Sequence, residues 1–318
     1  MSETSRSQWG ADQLWQVLEP LLPGLSVEVV ARCDSTNTQL LEMARRSGGR
    51  RDTPITAPGE FDDGRHAGYG AREPDMPYGR RTDDTRPCLL VAEHQTRGRG
   101  RMGRTWQSWP GASLTFSIAL PLQPVDWAGM SLAVGVALAE ALDPTEAGQA
   151  PRIGLKWPND LWLVEGPGRG RKLGGVLIET VAVGHRRMTV VGVGLNIRPQ
   201  EVHDLAAGYA CLQELQPSIE APEALQRVAL PLVQALQLFE REGFAAFVPR
   251  YERRDLLKGH PITTTSAEIP EGIAEGVADD GSLRVRVGNE MRLLSSGEVS
   301  VHLAGNADTG NAVEQDAG

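Results

Sequence analysis

The feature that most restricts the fold of this chain is a series of short apolar runs between residues 88 and 197. Each run has the length and composition of a buried strand. These strands are predicted at CLLVAEH (88–94), at Ser113–Leu120, near 153–164, near 173–183 and at MTVVGVGLNI (188–197). One segment between them, Ser131–Leu142, predicts a buried helix with Ser131 as its N-cap. Strands and helices combined in this way predict an α/β fold.

Shorter elements are predicted on either side of this series. Residues 11–31 are expected to form a short helix followed by a strand. Thr36–Ala44 predicts another helix, in which Thr36 and Gln39 fit a capping box. Glu223–Glu240 has apolar residues at helical spacing, with Pro231 as a candidate kink, and a further helix is predicted near 244–257.

Three segments differ in character from this core. Residues 49–86 mix charges, glycine and proline without a period of 2 or 3.6, which predicts a flexible insertion. Residues 259–304 alternate apolar and polar positions as strands do, and Asp280-Gly281 fits a hairpin turn. We therefore predict a large domain at 1–257, a small β-barrel-like domain at 258–304 and a disordered tail at 305–318.

The overall charge argues against a surface that binds nucleic acid. The 318 residues carry a formal net charge of −9, whereas nucleic-acid binders usually present a basic field. The three cysteines, Cys33, Cys88 and Cys211, lie outside any CxxC spacing, so neither a disulfide framework nor a zinc site is predicted. No secretory signal and no apolar run of membrane-spanning length is visible. We expect a cytoplasmic protein without a membrane partner.

The most unusual stretch is an arginine- and glycine-rich segment, Arg97–Arg104, which we term the Arg–Gly loop. It holds four arginines and three glycines in eight residues of an acidic protein. Glycine lets the backbone approach a ligand, and arginine supplies charged forks that match phosphate and carboxylate. A solvated charged turn and an RGG-like nucleic-acid segment are the alternatives. The spacing of the glycines excludes a P-loop and a Rossmann fingerprint. The arginines and glycines of the loop favour anion binding.

Four other motifs carry candidate site residues. In KWPND (156–160), Asp160 is a candidate carboxylate, whereas the Pro-Asn pair before it is explained by a turn. Lys172 precedes two glycines and a buried strand, where a ligand could reach it. In DSTN (34–37), plain helix capping is the alternative for at least one hydroxyl. The small residues of GVGLNI (192–197) permit close backbone approach.

Together these motifs resemble those of the biotin–protein ligase family. The matching stretches, in order, are DSTN, AEHQTRGRGRMGRTW, KWPNDLWL, RKLGGVLIE and GVGLNI, over about residues 30–200. GRGRxGR and KWPND are specific as a pair, and GSLRV and GEVSVHL resemble that family's small C-terminal domain. The resemblance implies a mixed β-sheet flanked by helices, as in a class II synthetase-like catalytic domain, followed by a small SH3-like β-barrel.

The resemblance also implies roles for individual residues. Ser35, Thr36, Asn37 and Gln95 would bind the ureido end of biotin, and Arg99, Gly100 and Arg101 would close over the carboxylate and the new phosphate. Lys172 would orient the biotin carboxylate against the α-phosphate, Asn196 would contact the adenylate and Gly174 would belong to the binding site. Asp160 would help to receive the incoming lysine amine, and Trp106 and Trp157 would exclude water.

The activity implied is ATP-dependent transfer of biotin to a lysine of a biotin carboxyl carrier protein, with ATP, Mg²⁺ and biotin as ligands. Because only about thirty residues precede DSTN, we expect a short form without an N-terminal DNA-binding domain and without a nucleic-acid partner. A lipoate or octanoate transferase of the same fold class is the alternative enzyme. An RNA- or DNA-binding module that uses the Arg–Gly loop is the non-enzymatic alternative.

Overall fold

Fourteen strands and five complete α-helices are found in the part of the chain that the computed structural model describes, residues 7–48, 86–146, 148–202, 207–295 and 301–303. The strands are β1 Ser26–Val30, β2 Cys88–Ala92, β3 Gly98–Arg99, β4 Thr105–Trp106, β5 Ser113–Pro121, β6 Ile153–Lys156, β7 Asp160–Gly166, β8 Arg169–Val183, β9 Arg186–Asn196, β10 Pro261–Thr264, β11 Glu271–Val277, β12 Leu283–Val287, β13 Glu290–Leu294 and β14 Val301–Leu303. The α-helices are α1 Ala11–Leu18, α2 Thr36–Gly48, α3 Met130–Leu142, α4 Ala221–Glu242 and α5 Val248–Glu252. The predicted insertion, except Arg86, and the predicted tail lie outside the described residues.

Seven strands form one mixed sheet in the order β1-β2-β5-β9-β8-β7-β6. β1 and β2 are parallel, and every other neighbouring pair is antiparallel. Alternate residues of a strand face opposite sides, so Leu89 and Val91 join one apolar cluster while Cys88 and Leu90 join another. α1, α3 and α4 cover the first face and α2 covers the second. The predicted mixed sheet flanked by helices is confirmed.

The starts of two helices differ from the prediction. Ser35, rather than Thr36, caps α2, because its Oγ lies 3.5 Å from the amide nitrogen of Thr38 and its carbonyl accepts from Gln39 N at 3.0 Å. α3 follows Gly129 at φ 77°, and Ser131 lies inside the helix. The Ser131 hydroxyl donates to the Pro158 carbonyl at 2.9 Å instead of capping. The capping predictions for Thr36 and Ser131 are therefore wrong, and both hydroxyls serve long-range contacts.

The single strand expected near 153–164 is two strands, β6 and β7. They are antiparallel and joined by a tight turn at Trp157–Asn159, with Lys156 opposite Asp160 in the register. Pro158 has no N–H and cannot continue a ladder, which explains the break in an otherwise apolar run. β8 begins at Arg169 rather than near 173, so Lys172 lies within a strand rather than before one.

The helices between residues 221 and 252 are partly as predicted. α4 is continuous from Ala221 to Glu242 with Pro231 inside it. The helix expected near 244–257 is shorter and split into a 3₁₀ turn, Phe244–Phe247, and α5. No helix in the described residues is long and apolar enough to cross a membrane.

The remaining strands form a second, antiparallel sheet in the order β13-β12-β11-β10-β14. Gly281 takes φ +81° in the predicted turn between β11 and β12. Pairing of β13 with β14, which would close a barrel, is absent from the described residues. Val285 and Ile262 belong to the same apolar cluster as the helices of the larger sheet, and Trp157 Nε1 donates to the Gly281 carbonyl at 3.0 Å. The two sheets are thus packed on one another.

Candidate active site

A cavity of about 860 Å³ lies where the Arg–Gly loop, the start of α2, the β6–β7 turn, and β8 and β9 meet. The second sheet contributes Thr263, His302 and Leu303 to its wall. The predicted residues that line it are Ser35, Thr36, Asn37, Gln95, Arg99, Gly100, Arg101, Asp160, Lys172 and Asn196. The fold thus gathers residues that are more than 150 positions apart in sequence, from Ser35 to Asn196, around one space.

Two predicted residues lie elsewhere. Gly174 is outside the cavity lining, and a Cβ there would lie 2.5 Å from Leu195 Cδ2 and 2.6 Å from the Gly194 carbonyl oxygen. Its absent side chain therefore lets β8 pack against β9. Trp157 is buried behind the turn against the second sheet, so Trp106 lines the cavity and Trp157 does not.

One end of the cavity is a buried network of hydroxyls and amides. Gln95 Oε1 accepts from the backbone N–H of Thr36 at 2.7 Å. Ser117 Oγ lies 2.6 Å from both Thr36 Oγ1 and Asn37 Oδ1. The amide oxygen can only accept, so Ser117 donates to Asn37 and accepts from Thr36. These groups have fixed orientations and present hydrogen-bonding atoms in a buried environment.

The glycines of GVGLNI are needed because side chains lie on the backbone of β9. A Cβ at Gly192 would lie 2.2 Å from Asn37 Oδ1. A Cβ at Gly194 would lie 2.5 to 2.9 Å from three atoms of the Trp106 indole. Both side chains border the cavity, so the close approach that the sequence predicted serves protein side chains that shape the site.

The other end of the cavity is rich in cations around one carboxylate. Lys172 Nζ donates to Asp160 Oδ1 at 2.7 Å. Lys156 is 8% exposed, and its ammonium lies 4.7 Å from the centre of the Trp162 ring. Burial lowers the pKa of Lys156 to about 8, while the nearby Asp160 carboxylate acts in the opposite direction. Near neutral pH this end of the cavity therefore carries a positive charge that an anion can offset.

Arg101 approaches the same end from the Arg–Gly loop. Its Nη1 donates to Asn159 Oδ1 in the β6–β7 turn at 3.4 Å. Burial lowers the pKa of Arg101 from its ordinary value, and the neighbouring Asp160 carboxylate raises it. An arginine stays charged under such shifts, so Arg101 contributes a permanent cation beside Lys172 and Asp160.

Asn196 has a supporting position on the floor of the cavity. Its Nδ2 donates to the carbonyls of Ala210 at 2.9 Å and Lys172 at 3.3 Å. The amide hydrogens are therefore used to hold the segment that carries Lys172, and only the side-chain oxygen is left to face a ligand.

Ser117, Lys156 and Trp162 line or support the site but were not singled out from the sequence. Ser117 belongs to a polar alternation in the apolar strand β5 (Ser113, Thr115, Ser117), a pattern that marks polar residues facing a buried space. Lys156 stands in the KWPND motif, but a lone lysine is most often a surface residue. Trp162 Nε1 is buried and has no hydrogen-bond partner among the described residues.

Comparison with known proteins agrees with this geometry. Residues 81–196 match the biotin/lipoate A/B protein ligase family, and residues 259–301 match the biotin protein ligase C-terminal domain. The biotin–[acetyl-CoA-carboxylase] ligase of Mycobacterium tuberculosis is 33% identical over 228 residues, which cover 68% of this chain and 79% of that protein. The bifunctional ligase/repressor BirA of Salmonella typhimurium is 32% identical over 67% of this chain, and the match spans 66% of its own length.

Solved structures share the fold. The biotin protein ligase of Aquifex aeolicus in complex with biotin and ATP aligns with a TM-score of 0.63 at 24% identity, over 88% of this chain and 99% of that chain. Its apo structure aligns with a TM-score of 0.59. The sequence motifs lie around one cavity, and the chain is 33% identical to the Mycobacterium tuberculosis ligase over 68% of its own length, so the chain belongs to the biotin–protein ligase family.

Proposed function

We propose that this chain activates biotin with ATP to biotinyl-5'-AMP and then transfers the biotinyl group to a lysine of a biotin carboxyl carrier protein. One arrangement carries the proposal: a single cavity with a fixed hydroxyl–amide network at one end and a cationic cluster at the other. Biotin has matching ends, a ureido group that both donates and accepts hydrogen bonds and a carboxylate. We propose that the ureido group of biotin binds at the end of the cavity formed by Thr36, Asn37, Gln95 and Ser117.

In the first step a carboxylate oxygen of biotin attacks the α-phosphorus of ATP, a new P–O bond forms, and pyrophosphate leaves. Two anions must approach each other for this bond to form. Lys172 and Arg101 offset their repulsion, and we propose that Lys172 exchanges part of its contact with Asp160 for the reacting groups. Trp106 covers the floor of the cavity and limits access of water to the mixed anhydride.

In the second step the neutral amine of the carrier lysine attacks the acyl carbon, an amide forms, and AMP leaves. The nitrogen gives up a proton in this reaction. Asp160 lies at the cavity beside Lys172 and is the carboxylate available to hold the incoming amine and accept that proton.

Mg²⁺ fits this site as a companion of ATP. In nucleotide sites Mg²⁺ is usually held by one or two carboxylates together with substrate phosphates. Asp160 is the only carboxylate among the described residues that line the cavity, and the described residues contain no cluster of three acidic, histidine or cysteine ligands. We propose that the ion enters on the triphosphate, where it supplies neutralising charge, with Asp160 as the protein oxygen near it.

The names of two relatives, biotin–[acetyl-CoA-carboxylase] ligases, support a carboxylase carrier domain as the protein substrate. A lipoate or octanoate transferase is the alternative, because the matched family also contains lipoate ligases. A plain acyl chain would leave the buried side-chain amide of Gln95 without a polar ligand, which disfavours it.

The experiment is release of pyrophosphate from Mg-ATP with biotin, lipoate and octanoate offered separately. We expect release with biotin at a rate at least a hundredfold above the other two acids, since a site built for polar groups rejects an analogue that lacks them. If pyrophosphate is released as fast or faster with lipoate or octanoate, that acid and not biotin is the substrate.

A further inference from the structure

Glu179 of β8 joins two elements that border the cavity, although it is not itself part of the cavity lining. Its Oε1 accepts from Arg99 Nη2 at 2.8 Å, and its Oε2 accepts from Arg99 Nη1 at 3.1 Å. Oε2 also accepts from Asn37 Nδ2 at 3.0 Å. One carboxylate thus binds the Arg–Gly loop with a two-point fork and binds the start of α2 at the same time.

These contacts differ from an ordinary surface ion pair. Exposed pairs with a single contact contribute little, because two long side chains must be held still in water. The Glu179 side chain is 23% exposed, and the planar fork of Arg99 matches both of its oxygens. By contrast, Arg286 and Glu275 on the second sheet meet through one contact at 2.8 Å.

Asn37 is the point at which this network reaches the ligand end of the cavity. Its Nδ2 donates to Glu179 and, at 3.2 Å, to the Leu177 carbonyl, while its Oδ1 accepts from Ser117. The amide lies directly against the backbone of Gly192, where a Cβ would collide with it. A change in the position of Glu179 therefore acts both on Asn37, a residue of the hydroxyl–amide end, and on Arg99 of the Arg–Gly loop.

We propose that Glu179 is a positioning residue that ties the Arg–Gly loop to the hydroxyl–amide end of the cavity, so that biotin binding and closure of the loop over the adenylate occur together. Arg99 acts as the anchor of the loop through Glu179, which leaves Arg101 to meet the carboxylate and phosphate. The inference rests on the proposed biotin activation, because it assigns a partner to residues of that site.

The test uses Glu179→Gln in the full chain, with Glu275→Gln as the matched control for loss of a glutamate that pairs with arginine. The glutamine oxygen can still accept from Asn37, but its NH2 group is a donor and cannot accept from the second arm of the Arg99 guanidinium. We expect the variant to keep its melting temperature within a few degrees. We expect its KM for biotin and its rate of adenylate release each to rise by roughly tenfold, with the KM for ATP changed less than threefold.

A second variant separates positioning from a direct role. If Glu179 acts through Arg99, then Glu179→Gln in an Arg99→Ala background has no further effect on biotin KM or adenylate release. Hydrogen exchange of residues 97–104 should be faster in Glu179→Gln than in wild type and unchanged in Glu275→Gln. Additive effects in the double variant, or wild-type values for biotin KM, release and exchange in Glu179→Gln, overturn the proposal. Absence of biotin-dependent pyrophosphate release by the wild type would instead overturn the proposed function.

Discussion

Lys172 has a position that favours chemistry over packing. Its ammonium lies at the cavity, 2.7 Å from Asp160, and its side chain is 30% exposed. Lys172→Ala should therefore leave the fold intact but slow biotin-dependent pyrophosphate release by about a hundredfold or more, as loss of a preorganised electrostatic contact does. Lys258→Ala, on a more exposed lysine outside the cavity, is the control. Pyrophosphate release by Lys172→Ala at near the wild-type rate would show that Lys172 has no role in adenylate formation.

Arg101 is expected to contribute more to retention of the reactive adenylate than to its formation. A charge-assisted contact from its guanidinium is worth roughly 1.5–3 kcal/mol, so its loss should speed escape by about one to two orders of magnitude. Arg101→Gly should still release pyrophosphate, and freed biotinyl-adenylate should label lysines of a bystander protein such as albumin. Arg186→Gly, in the β8–β9 hairpin, should label the bystander no more than wild type does. An active Arg101→Gly enzyme with wild-type bystander labelling would refute the retention role.

Residues that stand inside local motifs could be predicted from the sequence, whereas residues that act through long-range partners could not. The predicted ligand residues Thr36, Asn37 and Gln95 do line one cavity. Glu179 was passed over because its partners Arg99 and Asn37 are 80 and 142 positions away, and only the sheet brings them together. The burial of Lys156 likewise depends on how β6 packs, which no local pattern reveals.

Strand β9 provides a test at the level of an element. Gly194→Ala places a methyl group within 2.5 Å of the Trp106 indole, so either the ring or the strand must move. We expect a loss of about 1–3 kcal/mol in the free energy of unfolding, measured by denaturant titration, together with changed tryptophan fluorescence. Gly100→Ala, whose nearest Cβ contact would be 3.4 Å, should lose less. Equal stability of Gly194→Ala and wild type would show that Trp106 is not held against β9.

The elements that sequence patterns predicted best are those with an uninterrupted apolar run or a clear helical period. The buried runs that became β2, β5 and β9 and the helical stripe of α4 lie where they were expected. The sequence predicted the turn at Pro158-Asn159, but the apolar residues on both sides of it indicated one strand near 153–164 rather than the two strands β6 and β7. Helix starts were also misplaced, since a hydroxyl near a helix start can serve a cap or a distant partner, as Thr36 does.

At the scale of the whole molecule, Asp255, which pairs with Leu155 of β6, should set a pH dependence of stability. Burial raises its pKa to about 6, and its Oδ2 has no hydrogen-bond partner among the described residues. The folded state therefore favours the protonated carboxyl. Its destabilising effect is absent below about pH 4, grows as the pH rises towards 6 and is complete above it.

Asp255→Asn removes this titration while its oxygen can still accept from the Leu257 N–H. The variant should be more stable than wild type by on the order of 2 kcal/mol above pH 6.5, and the difference should shrink towards pH 4. Denaturant titrations of both proteins between pH 4 and pH 8 measure this. A variant that is less stable than wild type at pH 7.5 would contradict the pKa direction and its cause.

We propose that one cavity activates biotin and then passes it to a lysine. The most direct measurement is intact-mass spectrometry of a biotin carboxyl carrier domain after incubation with this protein, biotin and Mg-ATP, beside the same domain with its target lysine changed to arginine. We expect one biotinyl group on the wild-type domain, none on the lysine-to-arginine domain, and one AMP and one pyrophosphate for each group transferred. Adenylate formation with no biotin on the wild-type domain, or equal labelling of the two domains, would contradict the account.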